Sequence, residues 1–185
     1  MSESSSHGHL PRLTPGHYRG FAFVHWVMTV EERATGWLND LFHSQFREAM
    51  MHVLVRHDLF CPAYCLMPDH VHIVWLGSAA GSEQRQGLTS FRRATNRLLA
   101  PQAWQREPCD HVLREEERKR DAFPTVCRYV FDNPVRKNLV REWRNYPYSD
   151  ALVPGYVDLN PKRDDFWPVF WMIYNRRVSE SRSAP

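Results

Sequence analysis

The spacing of apolar and polar positions changes several times along the chain, and each change marks an element. From Phe21 to Val30 the run is almost continuously apolar, rich in Phe, Val and Trp and broken by His25, which predicts a buried β-strand. Leu38, Leu41, Phe42, Phe46, Ala49, Met50, Val53 and Leu54 then recur three and four apart behind Asn39, a residue type suited to an N-cap. This predicts an amphipathic helix to about Arg56. Leu59–Met67 and His70–Leu76 are strand-like runs joined at Pro68 and Asp69, a connection short enough to make them antiparallel neighbours. A glycine-containing loop, Gly77–Gly87, leads to a helical period over Leu88–Leu99, with Phe91, Thr95, Leu98 and Leu99 inward and Arg92, Arg93 and Arg97 outward.

Trp104–Arg114 offers a fourth strand. Glu115, Glu116 and Glu117 suit a helix N-terminus, and Pro134 predicts that this helix ends near Asn133. The order βαββαβα favours an α+β, ferredoxin-like (RRM-like) sandwich: an antiparallel four-stranded sheet with helices on one face and the other face free for a ligand. Further on, Phe166, Trp167, Phe170, Trp171 and Tyr174 have helical spacing and predict a helix that packs on the domain or serves an interface. The expected organisation is a disordered segment at 1–17, a domain at 18–152 and an extension with the aromatic helix at 153–185.

Composition narrows the class. With 185 residues, 43% hydrophobic and 24% charged, the chain has the length of one globular domain with at most an appendage. The apolar run at Phe21–Val30 falls well short of the ~20 residues that span a bilayer, so no membrane partner is expected. Residues 1–17 lack the basic-then-apolar order of a signal peptide, which predicts a cytoplasmic chain with reduced cysteines. The net charge is only +3, but Arg85–Arg144 holds fourteen Lys or Arg against eight Asp or Glu. A basic region rich in arginine fits phosphate contacts. A coding bias toward arginine would leave the same pattern.

Several clusters carry possible chemistry. In His70-Val71-His72, alternation along a strand sends both imidazoles to one face and Val71 to the other, so the two can share a metal or simply line a wet face. Tyr129 and Asn133, four apart on a helix, share a face: tyrosine can be a covalent nucleophile and an Asn oxygen suits Mg²⁺ or Mn²⁺, although a packing Tyr and a capping Asn have the same spacing. Arg19–Trp26 nearly matches an RNA-binding RNP1 run, but an RNP1 strand needs a strand, helix and strand before it. Cys61, Cys65, Cys109 and Cys127 lack zinc-ligand spacing, and His7 and His9 fall in the segment expected to be disordered.

Together the blocks Met67–Val74 and Tyr129–Arg136, with Trp104–Arg106, Asp110–Arg114 and the trailing Trp143, Tyr146, Tyr148 and Ser149, resemble the single-tyrosine HUH transposases, more narrowly the REP-associated tyrosine transposases. The resemblance spans residues 18–152. It implies a metal-dependent endonuclease and strand transferase acting on single-stranded DNA beside a hairpin, through a 5′-phosphotyrosine intermediate, in the cytoplasm at the nucleoid. Tyr129 would be the nucleophile, and His70, His72 and Asn133 would hold a divalent Mg²⁺ or Mn²⁺. Arg92, Arg93, Arg97, Arg136, Lys137 and Arg141 are the candidate DNA contacts. No nucleotide cofactor is expected, since no Walker A run occurs. Loss of cleavage with retained hairpin binding, an RNA-binding module, and a monomeric or dimeric state all stay open.

Overall fold

The computed structural model describes residues 13–183. The expected disordered segment lies mostly outside this range, as do His7 and His9. Among the described residues, Pro15–Tyr18 form a 3-10 turn, and Tyr18, where the expected domain starts, is buried with its ring stacked on Trp26. An aromatic side chain in an otherwise polar run provides that anchor.

The strands are β1 (Phe23–Thr29), β2 (Leu59–Leu66), β3 (His70–Gly77), β4 (Cys109–Val112) and β5 (Ser149–Leu152). All pair antiparallel in the order β4-β1-β3-β2-β5. The first four strands have the ferredoxin-like order, and β5 adds a fifth at the β2 edge. Helix α1 (Asp40–Arg56) begins where the cap was expected, with Asn39 Oδ1 accepting from the Phe42 N–H at 2.9 Å. Helix α2 (Gln84–Leu99) starts a turn earlier than the apolar period indicated. Gln84 is buried there: its amide donates to Ala22 O, and its oxygen accepts from the Trp26 indole.

These two helices cover one face of the sheet, where Val24, Trp26, Met28, Val71, Ile73 and Trp75 meet Phe42, Phe46, Leu88 and Phe91. Trp26, in the RNP1-like run, is therefore a core residue, 2% exposed.

The other face is not free. Helix α3 (Glu115–Arg118), helix α4 (Phe123–Phe131), helix α5 (Asn133–Arg136) and helix α6 (Phe166–Ser183) follow β4. The aromatic residues of α6 pack on the strands: Phe23 touches Trp171 and Tyr174, and Phe60 touches Phe170. Tyr174 also donates its hydroxyl proton to Gly77 O at 2.9 Å. A helix apolar enough to need cover takes the sheet face that one helical layer leaves bare. Phe23 is thus a packing residue too, with no surface for base stacking.

The single helix expected over 115–133 is divided. Pro124 sits in the first turn of α4, where a missing N–H costs nothing, so α4 starts afresh after the short α3. Pro134 likewise occupies the first turn of α5 and does not stop the chain from staying helical through Asp132. The result is an α4–α5 corner lying across one end of the second face.

Candidate active site

Strand alternation puts Phe23, His25 and Val27 of β1, and His70, His72, Val74 and Leu76 of β3, on the second face. Towards one end α6 seals the apolar members. At the other end the polar members meet α4 and α5.

His72 is 7% exposed, with an imidazole neighbour on each nitrogen. Its Nε2 lies 3.1 Å from His70 Nε2, and its Nδ1 lies 3.1 Å from His25 Nε2. His70 Nδ1 is 2.6 Å from Asp69 Oδ1, and the other Asp69 oxygen accepts from Arg33 at 2.7 Å. A continuous line of side chains therefore runs Arg33, Asp69, His70, His72, His25. Burial opposes ionisation of Asp69, but the bonds and charges of His70 and Arg33 outweigh it and hold the carboxyl below its usual range. Burial pushes His72 down to about 3, helped by His25, His70 and the Arg136 charge. His25 is pushed down to about 4, by burial first and then by His111. Near neutral pH both rings are uncharged, the state a metal ligand requires.

Tyr129 stands on α4 with 48% exposure, its ring edge-to-face with His25 and with His72 at 6.4 Å between centroids in each case. The guanidinium of Arg136, from α5, lies 4.7 Å from the Tyr129 ring centroid. Asn133 is buried at the corner, and its side-chain nitrogen donates to Tyr129 O at 2.9 Å and Val130 O at 3.2 Å. Both bonds use the amide nitrogen.

The donor set fits a divalent ion in part. Adjacent ligands of an octahedral ion at about 2.1 Å are separated by about 3 Å, close to the spacing of the two Nε2 atoms. Asp69 behind His70 supplies the outer carboxylate that fixes a ligating imidazole. Among the described residues no three His, Cys, Asp or Glu side chains form a cage by themselves. Any third protein ligand would therefore be of another type, such as an Asn amide.

The candidate cations fall on two layers. Arg136, Lys137 and Arg141 are exposed on and after α5, Arg136 over the Tyr129 ring. Arg92, Arg93 and Arg97 belong to α2, beyond the opposite face of the sheet. Arg92 donates to the carbonyls of Gln105 and Arg106, a role in holding that loop. Sequence reasoning missed His25, Asp69 and Arg33 as members of the site. The only signal for His25 was a titratable residue inside an apolar strand.

No family model matches the chain. A Haemophilus influenzae protein provisionally named a REP-associated tyrosine transposase is 20% identical over 139 residues, covering 67% of this chain and 76% of that protein. A solved structure of a REP-associated tyrosine transposase bound to a REP hairpin superposes with a TM-score of 0.61 at 18% identity, covering 80% of this chain and 82% of the other. The chain is similar to the REP-associated tyrosine transposases. The superposition shows a shared fold, the α+β sheet described above. Among the described residues no helix is long and apolar enough to cross a membrane.

Proposed function

We propose that the protein is an HUH-type endonuclease and strand transferase that cuts single-stranded DNA beside a REP-like hairpin and stays linked to the 5′-phosphate through Tyr129. One observation carries the reading: an exposed tyrosine stands against a paired-histidine centre, beneath the guanidinium of Arg136. Likeness to a transposase solved with a REP hairpin supports the substrate class.

The chemistry follows from the side chains. The Tyr129 phenol gives up its proton, and its oxygen bonds to phosphorus as the bond from phosphorus to the 3′-oxygen breaks. The leaving oxygen takes a proton and departs as a free 3′-OH. The phosphodiester energy is conserved in the phosphotyrosine, so an incoming 3′-OH can reverse the step with a different strand. Arg136, whose guanidinium lies over the Tyr129 ring, would bind the phosphate there. His70, His72 and the Asn133 oxygen would hold Mg²⁺ or Mn²⁺, which when bound polarises the phosphate and offsets its growing charge, an effect worth several kcal/mol.

Incubation with labelled single-stranded hairpins and Mn²⁺, followed by a denaturing gel, tests the proposal. Protein-linked DNA that vanishes in EDTA is the expected result. Hairpin binding with no cut and no adduct would leave a hairpin-binding protein and overturn the enzyme.

A further inference from the structure

His25 is absorbed by none of the roles above, yet it is the inner end of the side-chain line. It meets Nδ1 of His72, the ring nitrogen opposite the one that faces His70. It therefore stands behind the ligand and cannot share a metal with His70 Nε2 through the same side of the ring.

The protons on this line are constrained. The Asp69 carboxylate, paired with Arg33, accepts from His70 Nδ1–H, so the other ring nitrogen of His70, the one free to bind an ion, turns a lone pair toward His72. With no metal, the 3.1 Å contact between the two Nε2 atoms needs a proton, which His72 must supply from Nε2. His72 Nδ1 is then an acceptor, and His25 Nε2–H donates to it. With a metal held by both Nε2 atoms, His72 must present a lone pair there and carry its proton on Nδ1. His25 Nε2 must then accept, with its own proton moved to Nδ1.

We propose that His25 is the positioning residue of the metal centre, accepting a hydrogen bond from His72 Nδ1–H when His72 binds the ion, and that metal loading reverses the direction of the His25–His72 bond. This rests on the metal site proposed above. An imidazole that can donate or accept at one atom holds His72 in place in both states; a phenyl ring can do neither.

The test uses the full chain without DNA and Mn²⁺ as the probe, with affinity read by electron paramagnetic resonance. His25→Phe should weaken Mn²⁺ binding by about 10–100-fold, the usual loss for an outer-shell partner. His25→Gln, whose amide oxygen reaches the same place, should recover most of it. Long-range ¹H–¹⁵N spectra of the wild type provide a readout independent of any variant's folding: on Mg²⁺ saturation both His25 and His72 should change from the Nε2–H to the Nδ1–H tautomer. Unchanged Mn²⁺ affinity in His25→Phe, or a His25 that keeps its proton on Nε2 in the loaded protein, overturns the role while leaving the metal site intact. Wild-type binding no stronger than that of the His70→Ala, His72→Ala double variant removes the metal site itself and the role of His25 with it.

Discussion

Two tyrosines, one on each side of the sheet, both have histidine neighbours and an arginine, and they have opposite fates. Tyr64 of β2 is fully buried against α1: its hydroxyl is 2.8 Å from His43 Nε2 and accepts from Arg47 at 2.7 Å, and Arg47 in turn donates to Asp150. Burial drives its phenol well above the ordinary range, beyond what Arg47 can recover. Tyr129 is half exposed, with its arginine over the ring face. One phenol is a fixed strut between layers, and the other is open to a substrate. Neighbour identity alone does not make a nucleophile; access and direction do.

The largest expected effect separates these two. Tyr129→Phe should lower hairpin cleavage by at least about 10³-fold, the scale of removing a nucleophile, with binding and stability unchanged. Tyr64→Phe should cleave normally in a gel assay. Equal loss in both variants would show that the hydroxyls matter only through folding.

Next in size are the metal ligands. His70→Ala or His72→Ala should reduce cleavage by about 10²–10⁴-fold, matching several kcal/mol of lost charge stabilisation, with hairpin affinity held within a few-fold in a filter-binding assay. Full cleavage by the double variant would refute the metal assignment.

The two basic layers can be compared by salt dependence. Gln at Arg136, Lys137 and Arg141 should flatten the log–log salt slope of single-strand binding by about 0.7 for every phosphate no longer neutralised. Gln at Arg93 and Arg97, across the sheet, should flatten it less. The reverse order would route the DNA over α2.

What the sequence made legible was local. Asn39 and the apolar period located α1, and strand alternation put His70 and His72 on one face because parity survives any change of partner strand. The register between β1 and β3 is set by tertiary pairing, so no local pattern could bring His25 Nε2 to His72 Nδ1. β5 has four residues and too little pattern to detect, and the face chosen by α6 depends on which side α1 and α2 leave open. The divided α3–α4 segment was hidden because Pro124 reads as a helix breaker or as a helix start with equal ease.

The Tyr64 strut also predicts the smaller effects. Tyr64→Phe should cost about 1–3 kcal/mol in urea unfolding, because the half-buried His43 and Arg47 each lose a partner. His43 is pushed down to about 4 by burial and by Arg47, and His25 and His72 are also depressed. An unfolded histidine titrates near 6.5, so between that pH and about 4 the unfolded chain binds more protons and stability falls as pH falls. The urea midpoint should thus be level above pH 7 and decline from about 6.5 to 4, with a shallower decline in His43→Gln. A midpoint that rises on acidification would contradict the buried neutral rings.

Mass spectrometry of the covalent complex trapped on a single-stranded hairpin substrate decides whether Tyr129 is the nucleophile. A 5′-phosphate-linked nucleotide is expected on the peptide that contains Tyr129, and on no peptide containing Tyr64, Tyr146 or Tyr148. An adduct on another residue, or cleavage by water that leaves no adduct, would contradict the assignment.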